Sequence, residues 1–209
     1  MTATPDLSAV TLDQLPRDSG QRFDFAAIFG NTNPVELELG IGKGRFLIQQ
    51  AEERPGVNFV GVEWANKYFV LVAERAAKRG LRNLRVMRAD AGHVVRENVR
   101  DGAISVLHVY FPDPWPKLRH QKRRLIQAPF AREAARVLQD GGLVKLATDH
   151  VEYAVQMEQV FGADPDFEPV SRAVGEAAPV GVTNWEVKFR AEGRTIHKFE
   201  YRRRPRRGP

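Results

Sequence analysis

The sequence predicts an α/β protein in which seven strands form a doubly wound, mostly parallel sheet within a single domain. Apolar strand patterns alternate with amphipathic helix patterns from residue 35 to residue 160, and such alternation is typical of a parallel sheet covered by helices. The length of 209 residues favours one domain with one core. The content of 43% hydrophobic and 28% charged residues is that of an ordinary globular chain.

Five strands are predicted where short apolar runs end at turn signals, and helices are predicted between and after them. The strands are expected at 35–39, 57–63, 84–88, 106–110 and 143–147, and the helices at 45–51, 64–80, 92–99, 127–138 and 152–161. Residues 162–182 are expected to be irregular, and strands at 187–190 and 195–201 complete the seven. The expected organisation is a partly flexible N-terminal extension at 1–33, the main domain at 34–201 and an arginine-rich tail at 202–209.

Composition narrows the chemistry and the compartment. The chain has no cysteine, which excludes disulfides, thiolate zinc sites and a cysteine nucleophile. Its histidines are scattered, so no metal site is predicted. The N-terminus lacks the basic start and apolar core of a signal peptide, and no apolar run approaches the roughly 18 residues of a membrane span. We therefore expect a cytoplasmic protein with no membrane association.

The charge balance indicates an anionic partner. The chain has 32 basic and 26 acidic residues, a net charge of +6, with an isoelectric point near 9.8. The basic excess is concentrated at 117–124 and 202–207. Such clustering favours nucleic acid as the partner.

A glycine-rich turn after the first strand predicts a ligand site. Gly40, Gly42 and Gly44 stand between a strand and a helix, where a backbone without side chains lets a ligand approach closely. Nicotinamide-binding proteins usually carry GxGxxG at this place, whereas the spacing here is GxGxG. The turn therefore favours a ligand of another class.

Acidic residues stand at the ends of the first three strands. Glu38 precedes the turn, where it would repel a diphosphate but hold an ammonium group. Glu63 follows Gly44 by 19 residues, at a place where a carboxylate accepts from ribose hydroxyls. Asp90 can accept from an adenine amino group. The three acids together fit an adenosyl ligand with a cationic aminocarboxylate tail, and S-adenosylmethionine is such a ligand.

The stretch after the fourth strand combines a stiff loop with a positive patch. Residues 111–116 read FPDPWP, and the three prolines force an extended, turning backbone. The loop places Asp113 at the C-terminal end of a strand, the rim where open α/β sheets bind ligands. The cations that follow, expected to hold phosphates, are Lys117, Arg119, Lys122, Arg123 and Arg124. Taken alone, the stretch fits a simple turn with a solvated charged face equally well.

With a methyl donor bound, Asp113 would lie beside the sulfonium. The loop is similar to the Asp/Asn-Pro-Pro-Tyr motif of methyltransferases that modify nitrogen atoms. Methylation of pyrimidine carbon-5 through a covalent adduct needs a cysteine, so a nitrogen acceptor is favoured. At a purine N7 the lone pair lies in the ring plane, so attack needs no general base and catalysis depends on positioning and electrostatics. Asp113 would accept hydrogen bonds from the N–H edge of a guanine.

Five motifs resemble those of the bacterial tRNA (guanine-N7)-methyltransferase family, whose members methylate a guanine in the variable loop of tRNA. The motifs are ELELGIGKGRF, FVGVE, FPDPWPKLRHQKRR, LATDHVEYA and TNWEVKFRAEGRTI, which span roughly residues 34–201. The resemblance implies a Rossmann-like class I methyltransferase fold, S-adenosyl-L-methionine as cofactor, tRNA as partner and direct methyl transfer without a metal. No obligate protein partner is expected, and a monomer is favoured over a homodimer.

The resemblance also implies roles for individual residues. Asp113 would be catalytic and would line the donor pocket with Glu38, Glu63 and Asp90. The residues expected to contact the substrate or close over the target guanosine are Lys117, Asp149, Thr183, Asn184, Trp185 and Glu186. The residues expected to form the RNA-binding surface are Arg119, His120, Gln121, Lys122, Arg123 and Arg124. The sequence departs from the family pattern at Pro116, where His or Lys is more usual, and at Trp185, where Phe is more usual.

Simpler roles and other functions remain open at this point. Asp149 would also serve as a cap for the helix that begins near Glu152. Trp115 would either stack on RNA or, as is favoured, act as a packing residue. The rival functions are a methyltransferase acting on an exocyclic amine, a non-catalytic RNA-binding subunit with the same fold, and a nicotinamide dehydrogenase. Glu38 and the lack of a plausible hydride-transfer acid disfavour the dehydrogenase.

Overall fold

The computed structural model describes residues 6–12, 21–175 and 183–206. Its strands are β1 (Val35–Leu39), β2 (Asn58–Glu63), β3 (Leu84–Arg88), β4 (Ile104–Tyr110), β5 (Leu138–Thr148), β6 (Phe167–Val174) and β7 (His197–Arg203). Its helices are α1 (Phe25–Phe29), α2 (Arg45–Glu53), α3 (Asn66–Lys78), α4 (Ala91–His93), α5 (Ala128–Val137), α6 (Val151–Gly162) and α7 (Asn184–Ala191). A π-helical turn covers Val94–Asn98, and a 3-10 helix covers Leu118–Arg123.

The strands form one sheet in the order β3-β2-β1-β4-β5-β7-β6. The pairs β1–β2, β2–β3 and β4–β5 are parallel, whereas β7 runs antiparallel to both β5 and β6. The predicted α/β class with a mostly parallel seven-stranded sheet is therefore confirmed. None of the helices in the described part of the chain is long and apolar enough to cross a membrane.

The chain divides into two compact units. Among the described residues, the first unit contains 6–12, 21–100 and 183–184, and the second contains 101–175 and 185–206. The predicted boundaries at residues 33 and 202 are not tested by this division and stay predictions.

In the first unit, β1 and β2 are buried along their whole length. Helices α2 and α3 are amphipathic and turn their apolar sides to a shared core, as expected for helices that cover parallel strands. The core residues that these helices and strands share include Leu47, Ile48, Phe59, Val72, Ala73, Ala76, Leu84 and Val86. The rim of β1 and β2 is thereby held rigidly at the glycine turn that follows β1.

The N-terminal residues that the structure describes pack on the first unit. Helix α1 is capped by Asp24, whose side chain accepts a hydrogen bond from the Ala27 N–H at 3.1 Å. Ahead of it, Val10 is buried, and its carbonyl accepts from the Val86 N–H at 2.8 Å. The Leu12 N–H in turn donates to the Val86 carbonyl at 2.8 Å. This pairing places a short parallel bridge alongside β3, between Thr11 and Val86.

In the second unit, α5 and α6 bury their apolar sides beside β5. Strand β5 begins at Leu138 and includes residues 139–142, which the sequence predicts as a helix-closing turn. Gly141 keeps a turn-like φ of 76°, and the register with β4 shifts between Ile104 and Val106. The glycines therefore bend the strand rather than end it.

Two elements near the C-terminus differ from the prediction. Residues 162–182 contain strand β6, which is mostly exposed and lacks the alternation of apolar and polar residues that predicts a strand. Pairing with β7 stabilises it. Residues 187–190, predicted as a strand from Val187 and Phe189, belong to helix α7. The Thr183-x-x-Glu186 spacing is that of a capping box, a signal for a helix start that outweighs the β-propensity of those two residues.

The arginine-rich C-terminus is tied to the second unit over its described part. Strand β7 continues to Arg203, which is buried and donates to the Ala135 carbonyl at 3.0 Å. Arg204 pairs with Glu168, and Arg206 donates to Asp140 at 2.7 Å. These three side chains therefore serve the fold, and residue 207 lies outside the described residues.

We predict that Gly44→Ala lowers the free energy of unfolding by about 2 to 4 kcal/mol. Gly44 has a φ of 71°, which a residue with a Cβ resists, and that Cβ would lie 2.6 Å from Cγ2 of Val72, which forces overpacking. Denaturant unfolding measures the change. A Val72→Ala background removes the two closest contacts and leaves only the Cβ of residue 72, at 3.2 Å, so the penalty for Gly44→Ala should shrink towards the backbone contribution. Equal penalties in the two backgrounds would contradict this explanation.

Candidate active site

The glycine turn lies in the first unit and is fixed by β2. The N–H groups of Gly40 and Ile41 donate to the Val62 carbonyl at 2.8 and 3.3 Å. Gly40, Gly42 and Gly44 all have positive φ angles, of 77°, 51° and 71°. At Gly40 no described atom lies within 4 Å of the place a Cβ would occupy. The turn thus leaves its backbone open to a ligand at the end of β1.

Glu38 is a buried carboxylate just ahead of the turn. Glu38 is only 3% exposed, and its Oε2 has no hydrogen-bond partner among the residues that the structure describes. Burial raises the pKa of Glu38 well above its usual range, and the charge of Glu63 raises it further. A buried acid with an unused oxygen fits a cationic group such as an ammonium, which would favour its ionised form.

Glu63 joins the end of β2 to the glycine turn. Its Oε2 accepts from the Gly42 N–H at 2.8 Å, and its Oε1 accepts from the Ala65 N–H at 2.8 Å. Each carboxylate oxygen has a second lone pair, so the side chain can still accept from a hydroxyl pair. These two backbone hydrogen bonds fix the carboxylate in place.

Asp90 is an exposed residue at the end of β3. Its Oδ1 accepts from the His93 N–H at 2.7 Å and caps helix α4. The structure thus brings Glu38, Glu63, Asp90 and the glycine turn into the first unit. Asp90 therefore caps a helix, and its contact with an adenine amino group stays a prediction.

Loop 111–116 belongs to the second unit and contains strained backbone. Phe111 and Trp115 have φ angles of 52° and 41°, a region that non-glycine residues avoid at a cost of roughly 1 to 2 kcal/mol each. The Phe111 N–H donates to the Ala147 carbonyl at 2.8 Å, which continues the β4–β5 ladder. Asp113 stands exposed between the two strained residues. A strained loop that carries an exposed carboxylate is typical of functional sites.

The residues that follow the loop differ in how far they are exposed to solvent. Lys117, Arg119, Lys122 and Arg123 are exposed, as expected for a surface that holds phosphates. His120 and Gln121 are partly exposed. The Trp115 ring packs edge-on against His120, with centroids 5.9 Å apart, and Arg123 lies over it at 5.0 Å. Trp115 therefore has the packing role that the sequence left open.

Arg124 corrects one sequence-based prediction. It was expected on the RNA-binding surface, but the residue is only 3% exposed. Its Nε donates to the Pro114 carbonyl and its Nη1 to Oε1 of Gln156, both at 2.7 Å. Two of the three guanidinium nitrogens make these contacts and the side chain is buried, so Arg124 is not available to phosphates. No local signal distinguishes Arg124 from the adjacent Arg123, because the difference comes from packing against α6.

Helix α7 carries a second cluster in the second unit. Glu186 is 2% exposed, and its Oε1 accepts from Nη2 of Arg190 at 2.8 Å and from Nζ of Lys198 at 2.6 Å. Burial lowers the pKa of Lys198, while the hydrogen bond to Glu186 opposes that shift. Glu186 is thus the acceptor that joins Arg190 of α7 to Lys198 of β7.

Phe189 links this helix to the loop. Its ring meets Phe111 edge-on with centroids 5.3 Å apart and stacks on Trp185 at 5.4 Å. Arg194 lies over the same ring at 4.5 Å and donates to Oδ2 of Asp149 at 2.7 Å. The second unit therefore brings together the loop of Asp113, the end of β5 with Asp149, and the helix with Trp185 and Glu186.

The supporting residues of this cluster were missed by sequence reasoning. Arg190 follows Glu186 by four residues, a spacing that indicates an ion pair once a helix is assumed. In a strand, which the sequence predicts at 187–190, residues four apart do not meet in this way. Lys198 and Arg194 join the cluster through tertiary contacts, for which the sequence has no local sign. Thr183 is buried and Asn184 begins α7, and both belong to the first unit.

Comparison with known proteins relates the chain to methyltransferases. A family described as "Putative methyltransferase" matches residues 32–199. A tRNA (guanine-N(7)-)-methyltransferase of Haemophilus influenzae is 35% identical over 182 residues, covering 80% of this chain and 74% of that protein. The enzyme of the same name from Bordetella pertussis is 39% identical over 180 residues, covering 80% and 71%.

Solved structures share the fold at low sequence identity. The antibiotic-resistance methyltransferase Kmr superposes with a TM-score of 0.60 at 18% identity, covering 93% of this chain and 99% of that one. TrmN from Thermus thermophilus also gives a TM-score of 0.60, at 21% identity, covering 82% of this chain and 45% of the longer TrmN chain. These likenesses confirm the predicted class I methyltransferase fold. No cluster of metal-binding side chains occurs within the described ranges.

We predict that the stability advantage of Glu38→Gln over the unsubstituted protein grows as the pH rises above about 4.5, the ordinary carboxyl pKa. The folded protein holds the Glu38 proton more tightly than the unfolded chain. Its stability therefore falls with pH until Glu38 also ionises in the folded state. Denaturant unfolding from pH 4.5 to neutrality measures the difference.

The matched control for this measurement is Glu53→Gln, which removes an exposed carboxylate from α2. A free-energy difference for Glu38→Gln that does not change with pH would show that the buried carboxyl ionises as readily as it does in the unfolded chain.

Proposed function

Because the chain belongs to the tRNA (guanine-N7-)-methyltransferase family, we propose that it transfers a methyl group from S-adenosyl-L-methionine to N7 of a guanine in tRNA. The observation that carries this proposal is loop 111–116, which presents Asp113 beside a row of exposed cations. The catalysed step is a direct displacement, with the guanine N7 lone pair as nucleophile. We further propose that the target guanine lies in the variable loop of the tRNA.

The first unit supplies the groups that would hold the donor. The bound donor provides a methyl group on a sulfonium, which activates it for transfer. The buried Oε2 of Glu38 suits the ammonium of its aminocarboxylate tail, and Glu63 suits the ribose hydroxyls. Asp90 would accept from the adenine amino group through the oxygen that does not cap α4. The open backbone at Gly40 leaves room for the tail beside β1.

The second unit supplies the groups that would hold the acceptor. N7 carries no proton, so the protein need not remove one, and positioning and electrostatics account for the rate. Asp113 would accept from an N–H of the guanine and offset the positive charge that develops on the ring. Glu186, fixed by its contacts with Arg190 and Lys198, would accept from a second N–H. Lys117 and Asp149 would contact the same nucleotide.

The exposed cations of the 3-10 helix and its flank would hold the tRNA backbone. Neutralising phosphates releases counterions, so affinity should fall steeply with salt. Lys117, Arg119, Lys122 and Arg123 are the cations that the structure leaves exposed for this role. We place the reaction in the cytoplasm and propose that the protein acts as a monomer, which light scattering of the purified protein tests.

The test of the reaction is incubation with unmodified tRNA and methyl-labelled S-adenosylmethionine, followed by nucleoside analysis. We expect label in 7-methylguanosine at one variable-loop position, and we expect Asp113→Asn to reduce transfer about 100-fold or more while tRNA affinity is retained. Label on an exocyclic amine would replace the proposed acceptor. Donor and tRNA binding without any transfer would indicate a non-catalytic RNA-binding protein.

We predict that Lys122→Ala combined with Arg123→Ala weakens tRNA binding and reduces the slope of log affinity against log salt by about 1 to 2. Each lost phosphate contact removes roughly one counterion from the release on binding. Filter binding at several salt concentrations measures the slope. The matched control removes two exposed lysines from α3, Lys67 and Lys78. An equal loss of slope in both variants would indicate general charge attraction rather than a surface at 117–123.

A further inference from the structure

One cation of the basic run is directed into the protein. Arg124 follows four exposed cations in sequence, yet its side chain is 2% exposed. A buried guanidinium is unfavourable unless it is hydrogen-bonded and paired. Its contacts therefore identify what this residue does for the molecule.

The guanidinium bridges the loop of Asp113 to helix α6. Nε donates to the Pro114 carbonyl and Nη1 donates to Oε1 of Gln156, both at 2.7 Å. Nη2 faces Oε2 of Glu152 at 3.8 Å. Pro114 directly follows Asp113, so the bridge fixes the Pro114–Trp115 peptide, one residue after the proposed catalytic carboxylate.

The bridge is held from below by two side chains of α6. The guanidinium lies over the Tyr153 ring, 4.9 Å from its centroid. The Tyr153 hydroxyl accepts from the Ile126 N–H at 3.0 Å, and Nε2 of Gln156 donates to the Ile126 carbonyl at 2.7 Å. The same α6 residues therefore hold both Arg124 and the backbone two residues after it.

The charges that act on Tyr153 include those of both Arg124 and Asp113. Burial raises the pKa of Tyr153 to about 12; the hydrogen bond from Ile126 and the charge of Arg124 lower it, and the charge of Asp113 contributes to the rise. Asp113 and Arg124 thus both act on the same phenol. The loop backbone also needs external support, because Phe111 and Trp115 are both left-handed and such conformations persist only when surrounding contacts impose them.

We propose that Arg124 is a positioning residue for methyl transfer, which holds the Pro114 carbonyl so that Asp113 is presented in its working place. It does not contact the tRNA. This proposal rests on the proposed function, in which Asp113 acts on the acceptor guanine. It assigns different roles to adjacent arginines: Arg123 serves binding, and Arg124 serves the rate of transfer.

The test compares single-turnover transfer, tRNA affinity with its salt slope, and thermal stability across five variants. Arg124→Met should lower the transfer rate 10- to 100-fold with tRNA affinity within about twofold and an unchanged salt slope. Arg124→Lys should restore part of the rate, because an ammonium can still donate to the Pro114 carbonyl. Gln156→Leu should give an intermediate loss, because it removes the group that aims the guanidinium.

Two variants act as controls. Arg123→Ala should weaken tRNA binding and flatten its salt dependence, as expected when a phosphate contact is lost. Tyr153→Phe keeps the ring beneath Arg124 but removes the acceptor for the Ile126 N–H, so it should lower stability and leave the rate within about twofold. If Arg124→Met does not fold, Arg124→Lys and Gln156→Leu carry the same comparison.

Three results would overturn the proposal. A wild-type rate in Arg124→Met would remove the positioning role. A lower salt slope in that variant would make Arg124 an RNA contact. An equal loss of rate in Tyr153→Phe would show that general destabilisation of the region explains the effect. Failure of the wild-type protein to methylate guanine N7 is a separate result, which would overturn the proposed function instead.

Discussion

Loop 111–116 imposes a constraint that the described part of the second unit satisfies from three sides. Its backbone is left-handed at Phe111 and Trp115, and three prolines restrict the rest. Phe111 is fixed through its N–H to β5 and through its ring to α7, while Pro114 is fixed by Arg124 to α6. Because separate elements hold the loop, the location of Asp113 depends on tertiary packing far more than on the loop sequence.

The net positive charge is larger than the charge that is available to bind RNA. Several cations that the sequence assigns to a positive surface are committed to the fold, including Arg124, Arg203 and Arg206. Lys198 is committed to Glu186. What remains exposed beside the loop is a short row on one 3-10 helix and its flank. Specific binding to tRNA then requires the shape of that row, since a diffuse positive field would bind any nucleic acid.

The sequence predicts the parallel strands and the acids at their ends well. The spacing of apolar residues, the turn residues and the strand ends are all local features of the chain. The sequence-based prediction is wrong where contacts between distant parts of the chain determine the local structure. Strand β6 is mostly exposed, lacks a strand-like alternation and is stabilised by pairing with β7. Helix α7 begins with the Thr183-x-x-Glu186 spacing of a capping box, but the β-branched and aromatic residues that follow favour a strand by their intrinsic propensity. Arg124 and Arg123 are identical in local pattern, and packing against Tyr153 and Gln156 separates them.

The two edge strands of the sheet are protected in different ways. An unpaired edge is a template for association with another chain. Strand β3 is covered by residues 10–12, which hydrogen-bond to Val86, whereas β6 carries Pro169 and a register irregularity beside it. Residues 10–12 therefore cover an edge that would otherwise be open to association. A shortened protein that starts at the predicted domain boundary would keep the glycine turn yet expose a bare β3, inviting edge-to-edge aggregation.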